Sequence, residues 1–131
     1  MLLERVLLVD DEPDIRRIGQ VSLQAVGRLS VTLASSGAEA IVAARREQPH
    51  AILLDVMMPA MDGPACLLRL RALPETQAIP VLFMTAKVQT AEIDRYLAMG
   101  AAGVIRKPFD PMTLAQDVRS LLEAAEKRRA K

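Results

Sequence analysis

The chain has 131 residues, 51% hydrophobic and 25% charged, the size and balance of one globular domain that can bury its own core. A net charge of +1 provides no global attraction to nucleic acid or a membrane surface, and Phe83, Tyr96 and Phe109, with no Trp, are too few aromatics for a base-stacking platform. The single Cys66 excludes an internal disulfide or a cysteine zinc cage, no apolar run approaches the roughly 18 residues of a membrane span, and the acidic and basic N-terminus is not a signal peptide, so a reducing, cytoplasmic setting is expected.

In chain order the pattern is strand then helix, five times over. The run "RVLLV" predicts β1 at 5–9, followed by "DDEP" and a helix α1 over 13–26. Pro13 suits the first turn of that helix, where a missing N–H costs nothing, and Gly27 stops it. Ile15, Ile18, Ser22 and Ala25 form its expected inward stripe. "SVTLA" predicts β2 at 30–34, and α2 covers 38–47, ended by "QPH". His50, after Pro49, is expected to face solvent. "AILLD" predicts β3 at 51–55, and "MDG" at 61–63 a turn with no chemistry of its own that opens α3 over 63–73. Cys66, followed by Leu67 and Leu68, is expected to act as a small buried hydrophobe.

"PVLFMT" predicts β4 at 80–85, with α4 over 89–99 and Gly100 as its cap. "GVIRK" predicts β5 at 103–107. After Pro111, Leu114, Val118, Leu121 and Leu122 set out an amphipathic α5. The ending "EKRRAK" is a basic helix end that complements the macrodipole. The domain is expected to span 1–125, with a short basic tail at 126–131.

Three of these strands contain near-continuous apolar runs, as strands covered on both faces do, and alternating β and α elements imply a parallel sheet between two helical layers. In such sheets ligands bind at the carboxyl ends of the strands. There the sequence places Asp10, Asp11 and Glu12 after β1, Asp55 at the end of β3, Thr85 and Ala86 at the end of β4, and Lys107 with Pro108 at the end of β5. Neighbouring strand ends lie about 5 Å apart. Asp10, Asp11 and Asp55 would then crowd one pocket, where carboxylates repel unless one takes a proton or a cation binds. A hard divalent ion such as Mg²⁺, with its oxygen-only octahedral preference, relieves that repulsion. Taken alone, Asp11 or Glu12 would read as a helix cap, Thr85 as an ordinary β-branched strand residue and Lys107 as a solvated strand end. Four strand ends in agreement favour a site.

Together "LLVDDEP", "LLDVMMPAMDG", "FMTAK" and "IRKPF" resemble the receiver domain of two-component response regulators, over about 7–122. The resemblance implies a flavodoxin-like (βα)5 three-layer sandwich with a five-stranded sheet of order 2-1-3-4-5. It implies a phosphoacceptor at Asp55, taking a phosphoryl group from a histidine kinase or phosphotransfer protein. Asp10, Asp11, Asp55 and the backbone carbonyl of Met57 would hold Mg²⁺. Lys107 would pair with a phosphoryl oxygen, and Thr85 would move to bond another. Pro108 would follow a cis peptide. Ala86, Val104 and Pro108 would belong to the switching surface. The output would be protein contact through the α4–β5–α5 face, with Arg95, Tyr96 and Arg106 as surface candidates. No direct nucleic-acid contact and no membrane insertion are implied, and phosphorylation-dependent homodimer formation is left open.

The chain departs from the family at Val104, where an aromatic usually reports the threonine's movement. It is expected to be a signalling switch rather than a turnover enzyme. An aspartyl phosphatase would carry its nucleophile on the first strand, with a second Asp two residues later; here that position is Glu12. A fold-only interaction module would have lost one or more of the five key residues, and all are present.

Overall fold

A computed structural model describes residues 2–130. Ten elements alternate as expected: β1 (Arg5–Val9), α1 (Pro13–Ala25), β2 (Ser30–Ala34), α2 (Gly37–Glu47), β3 (Ala51–Asp55), α3 (Gly63–Ala72), β4 (Val81–Thr85), α4 (Thr90–Ala98), β5 (Gly103–Arg106) and α5 (Leu114–Arg129). Boundaries differ from the sequence reading by one residue at several ends. The strands form one parallel sheet of order β2-β1-β3-β4-β5. Register runs Val9 to Leu54 across β1 and β3, Asp55 to Met84 across β3 and β4, and Thr85 to Arg106 across β4 and β5. All strands therefore finish at one rim.

Alternation of side chains along the strands divides the core in two. Leu7, Val9, Ile52, Leu54, Val81 and Phe83 face α2, α3 and α4. Val6, Leu8, Leu53, Leu82, Met84 and Ile105 face α1 and α5. β3 and β4 are buried along their whole length, which explains their unbroken apolar runs. Each fully buried Leu or Phe here contributes about 2–3 kcal/mol relative to exposure.

Three expectations need correction. The inward face of α1 is Gly19, Ser22 and Leu23, with Ile15 half-buried, while Ile18 is 46% exposed and Ala25 is also exposed. The reason is close approach. A Cβ on Gly19 would meet Leu8 Cδ2 at 2.6 Å, so the helix lies on the sheet through its smallest residue and turns Ile18 outward. His50 is not a free surface residue. It is half-buried, its Nδ1 accepts from the amides of Glu4 and Arg5 at 3.1 and 3.2 Å, and its own amide donates to the Arg5 carbonyl, fixing the start of β1. Tyr96 is buried rather than on the surface, stacked edge-on against Phe83 with ring centroids 4.9 Å apart, while Arg95 and Arg106 are exposed. Residues 126–129 lie in the last turn of α5, the basic helix end expected of "EKRRAK".

Candidate functional site

The β1–α1 turn is built around Asp10, which is fully buried. Its amide donates to the Ala34 carbonyl at 3.2 Å. Its Oδ1 accepts from the Glu12 amide at 3.0 Å, and its Oδ2 accepts from Lys107 Nζ at 2.9 Å. Glu12 occupies the N-cap position of α1 yet makes no side-chain cap bond, so the acidic run does not exist to cap the helix. Asp11, half-buried, stands at the mouth of the turn.

Asp55 closes β3 and is 3% exposed. The loop behind it is held by Gly63, whose amide donates to the Val56 carbonyl at 2.9 Å. A Cβ on Gly63 would lie 2.7 Å from the Asp55 carbonyl and 2.9 Å from Val56 Cα, so only glycine lets α3 start this close to the site. Asp62 caps α3 by accepting from the Ala65 amide at 2.9 Å. "MDG" is thus a helix-opening turn, as its residue types imply.

Lys107 extends from the end of β5 and donates to Asp55 Oδ1 at 3.2 Å as well as to Asp10; Glu12 lies 3.9 Å away. Its amide donates to the Thr85 carbonyl at 2.9 Å, tying β5 to β4 at the rim. The Lys107–Pro108 peptide is cis, as the resemblance implies. Thr85 is buried, with its Oγ1 accepting from the Lys87 amide at 3.1 Å. Ala86 and Pro108 are exposed, Met57 is 73% exposed, and Val104 packs half-buried against the cluster that includes Phe83 and Tyr96.

Carboxylate oxygens of Asp10, Asp11 and Asp55 lie within 4.8 Å of one another, a spacing one small cation can bridge. The electrostatics require compensation. Burial, and then the charge of Asp10, push the Asp55 pKa up to about 6 against the opposing pull of Lys107. Burial alone would lower the Lys107 pKa, but its hydrogen bonds to, and the charges of, the two aspartates outweigh that and raise it. One ammonium therefore serves two buried carboxylates, leaving negative charge to be met by a cation. The oxygen-only donor set fits Mg²⁺ rather than a softer metal. Cys66, the one thiol, is buried elsewhere with its pKa pushed up to about 11, so it adds no chemistry.

Two supporting contacts escaped the sequence reading. Arg16 donates to the Asp10 carbonyl at 2.8 Å, and Ser22 donates through its hydroxyl to the Pro111 carbonyl, fastening the loop after Lys107 to α1. Both act on backbone oxygens, and no local pattern announces such partners.

Residues 6–119 match the family described as the response regulator receiver domain. A probable transcriptional regulator, ycf27, of Porphyra purpurea is 38% identical over 124 residues, covering 95% of this chain and 49% of that protein. The response regulator Rre1 of a Synechocystis species is 38% identical over 117 residues, covering 89% and 51%. The chain thus spans about half the length of these relatives. Among solved structures, the chemotaxis response regulator CheY4 of Vibrio cholerae superposes with a TM-score of 0.84 at 31% identity, covering 92% of this chain and all of that one.

Proposed function

The chain belongs to the response regulator receiver family, phosphoacceptor signalling modules rather than turnover enzymes, and from that premise we propose that Asp55 accepts a phosphoryl group from a histidine kinase or phosphotransfer protein with Mg²⁺ at the rim. The observation that carries this reading is the Lys107 ammonium set between Asp10 and Asp55, beside three carboxylates close enough to share a cation.

The Asp55 carboxylate attacks phosphorus in line, the bond from phosphorus to the donor's imidazole nitrogen breaks, and its electron pair stays on the imidazole, which takes a proton. Asp10, Asp11, Asp55 and the Met57 carbonyl would hold Mg²⁺, which when bound supplies positive charge to the phosphoryl oxygens. Lys107, already at the carboxylate, pairs with a phosphoryl oxygen. Thr85 gives up its place under the Lys87 amide to donate its hydroxyl to another. The work is alignment and charge neutralisation, as phosphoryl transfer requires. Water aligned at the same site returns Asp55 to its starting state.

A protein donor is supported by an apolar patch on the two segments that follow the acid turn and Lys107. Ile18, Val21 and Met112 are 46%, 54% and 71% exposed on α1 and the loop after β5, an apolar surface a small-molecule donor would not use. Readout is assigned to the α4–β5–α5 face, where Arg95 and Arg106 are exposed and Ala86, Val104 and Pro108 link it to the rim. The relatives named as transcriptional regulators are about twice the matched length, so that activity belongs to those longer proteins.

The test is to incubate the chain with Mg²⁺ and a small acyl phosphate and map the label by mass spectrometry. One phosphoryl group on Asp55, absent in Asp55→Asn and absent under chelation, is expected. A label on another residue would overturn the assignment.

A further inference from the structure

Asp10 is held at every polar atom, and only one of those contacts comes from a side chain outside the acid cluster and its lysine. The amide, Oδ1 and Oδ2 are occupied by Ala34, Glu12 and Lys107. The carbonyl accepts from Arg16 Nη1 at 2.8 Å, from a half-buried side chain one turn into α1. The Arg16 amide in turn donates to the Glu12 carbonyl at 3.1 Å. Arg16 therefore adds a side-chain tie at Asp10 to the ordinary first helical bond that its amide makes at Glu12. Its charge also reaches α2. Glu39 is held below the ordinary range by hydrogen bonds to the Ser35 amide and hydroxyl and, least, by Arg16.

We propose that Arg16 is a positioning residue for the divalent cation: by fixing the Asp10 carbonyl it sets where the Asp10 and Asp11 carboxylates stand and so raises the affinity of the rim for Mg²⁺. This rests on the Mg²⁺ reading above. The physical interest lies in a conflict of sign. A guanidinium beside a cation site opposes cation binding by simple charge repulsion. Geometry acts the other way, because residues that orient metal ligands are commonly worth tenfold or more in affinity. Removing Arg16 therefore tightens Mg²⁺ binding if charge dominates and weakens it if positioning dominates. The part-buried, short bond to a backbone oxygen favours positioning, since it constrains the turn itself and not one freely rotating side chain.

Calorimetric titration of the whole chain with Mg²⁺ at neutral pH decides the matter. Arg16→Ala is expected to raise the Kd roughly tenfold. Arg16→Lys, which keeps the charge but loses the forked donor, is expected to fall between it and the unsubstituted chain. Arg17→Ala, which removes an exposed neighbouring charge, should leave the Kd within twofold. Tighter or unchanged binding in Arg16→Ala overturns the proposal. If that variant does not fold, Arg16→Lys with an unaltered Kd overturns it alone. Absence of Mg²⁺ binding in the unsubstituted chain overturns the function proposed above and this inference with it, whereas a failure confined to the Arg16 variants strikes the positioning role only.

Discussion

The two rims of one sheet solve opposite problems. Where the strands begin, polar side chains are matched to backbone groups. His50 receives the amides of Glu4 and Arg5 where β1 starts, Thr76 donates to the Leu70 carbonyl at 2.6 Å, Arg71 spans the Ile79 and Gly100 carbonyls, and Arg128 reaches the Ala102 carbonyl. Where the strands end, the side chains are matched to one another only in part. Buried Asp10 and Asp55 share a single ammonium, and Asp11 adds a third carboxylate. The first rim contributes stability by satisfying polar groups. The second gives stability up and holds charge that a cation and a phosphoryl group can complete.

That contrast can be broken most sharply at Asp55. Asp55→Asn should abolish phosphoryl uptake while raising the unfolding free energy of the metal-free chain by about 1–3 kcal/mol, because it removes a carboxylate whose ionisation burial opposes. Mass labelling and urea titration check the two halves. A loss of stability would mean that the functional rim is not under electrostatic load.

Lys107→Ala comes next. It leaves two buried carboxylates without their shared cation, so a loss of about 3 kcal/mol in metal-free stability is expected. Labelling with an acyl phosphate should slow by about 100-fold, the scale for removing one preorganised charge-stabilising donor. Quench-flow labelling measures the rate.

The pH dependence sharpens the comparison further. Asp55 has a folded pKa of about 6 against an ordinary 3.8, so between those values the folded chain holds a proton that the unfolded chain has released. Metal-free stability attributable to Asp55 is therefore present below about pH 4 and lost as pH rises through 6, by about 3 kcal/mol at most. The difference between the unsubstituted chain and Asp55→Asn, followed by thermal unfolding across this range, isolates it. Saturating Mg²⁺, which needs the ionised form, should reverse the slope.

The smallest effect belongs to the opposite rim. Thr76→Val removes a buried hydroxyl donor and should cost about 1–2 kcal/mol while leaving labelling of Asp55 unchanged. A labelling defect in this variant would show that the two rims are not separable.

The sheet was legible because its evidence is local. "AILLD" and "VLFMT" are apolar up to their last residue because they are buried throughout, and those last residues, Asp55 and Thr85, stand at the rim. The acids, Lys107 and Thr85 were legible as a set because parallel strands bring all carboxyl ends together, whatever their separation in sequence. What escaped depended on partners from elsewhere in the chain. The α1 stripe was misjudged because Gly19, and not hydrophobicity, decides how that helix meets Leu8. His50 and Arg16 bind backbone atoms, which carry no residue-type signature. Tyr96 counts as a surface candidate by its place on the α4–β5–α5 face, whereas its ring packs inward on Phe83.

That misplaced ring has a practical side. Tyr96 is the chain's one tyrosine and there is no tryptophan, so tyrosine emission from the protein originates at a single spot on the inner face of α4. Phe83, against which it leans, would touch the first Cβ added at Gly63, the glycine that lets α3 abut Asp55. The molecule thus carries a built-in optical probe leaning on a ring that lies beside Gly63, and rearrangement there becomes readable without attaching a dye.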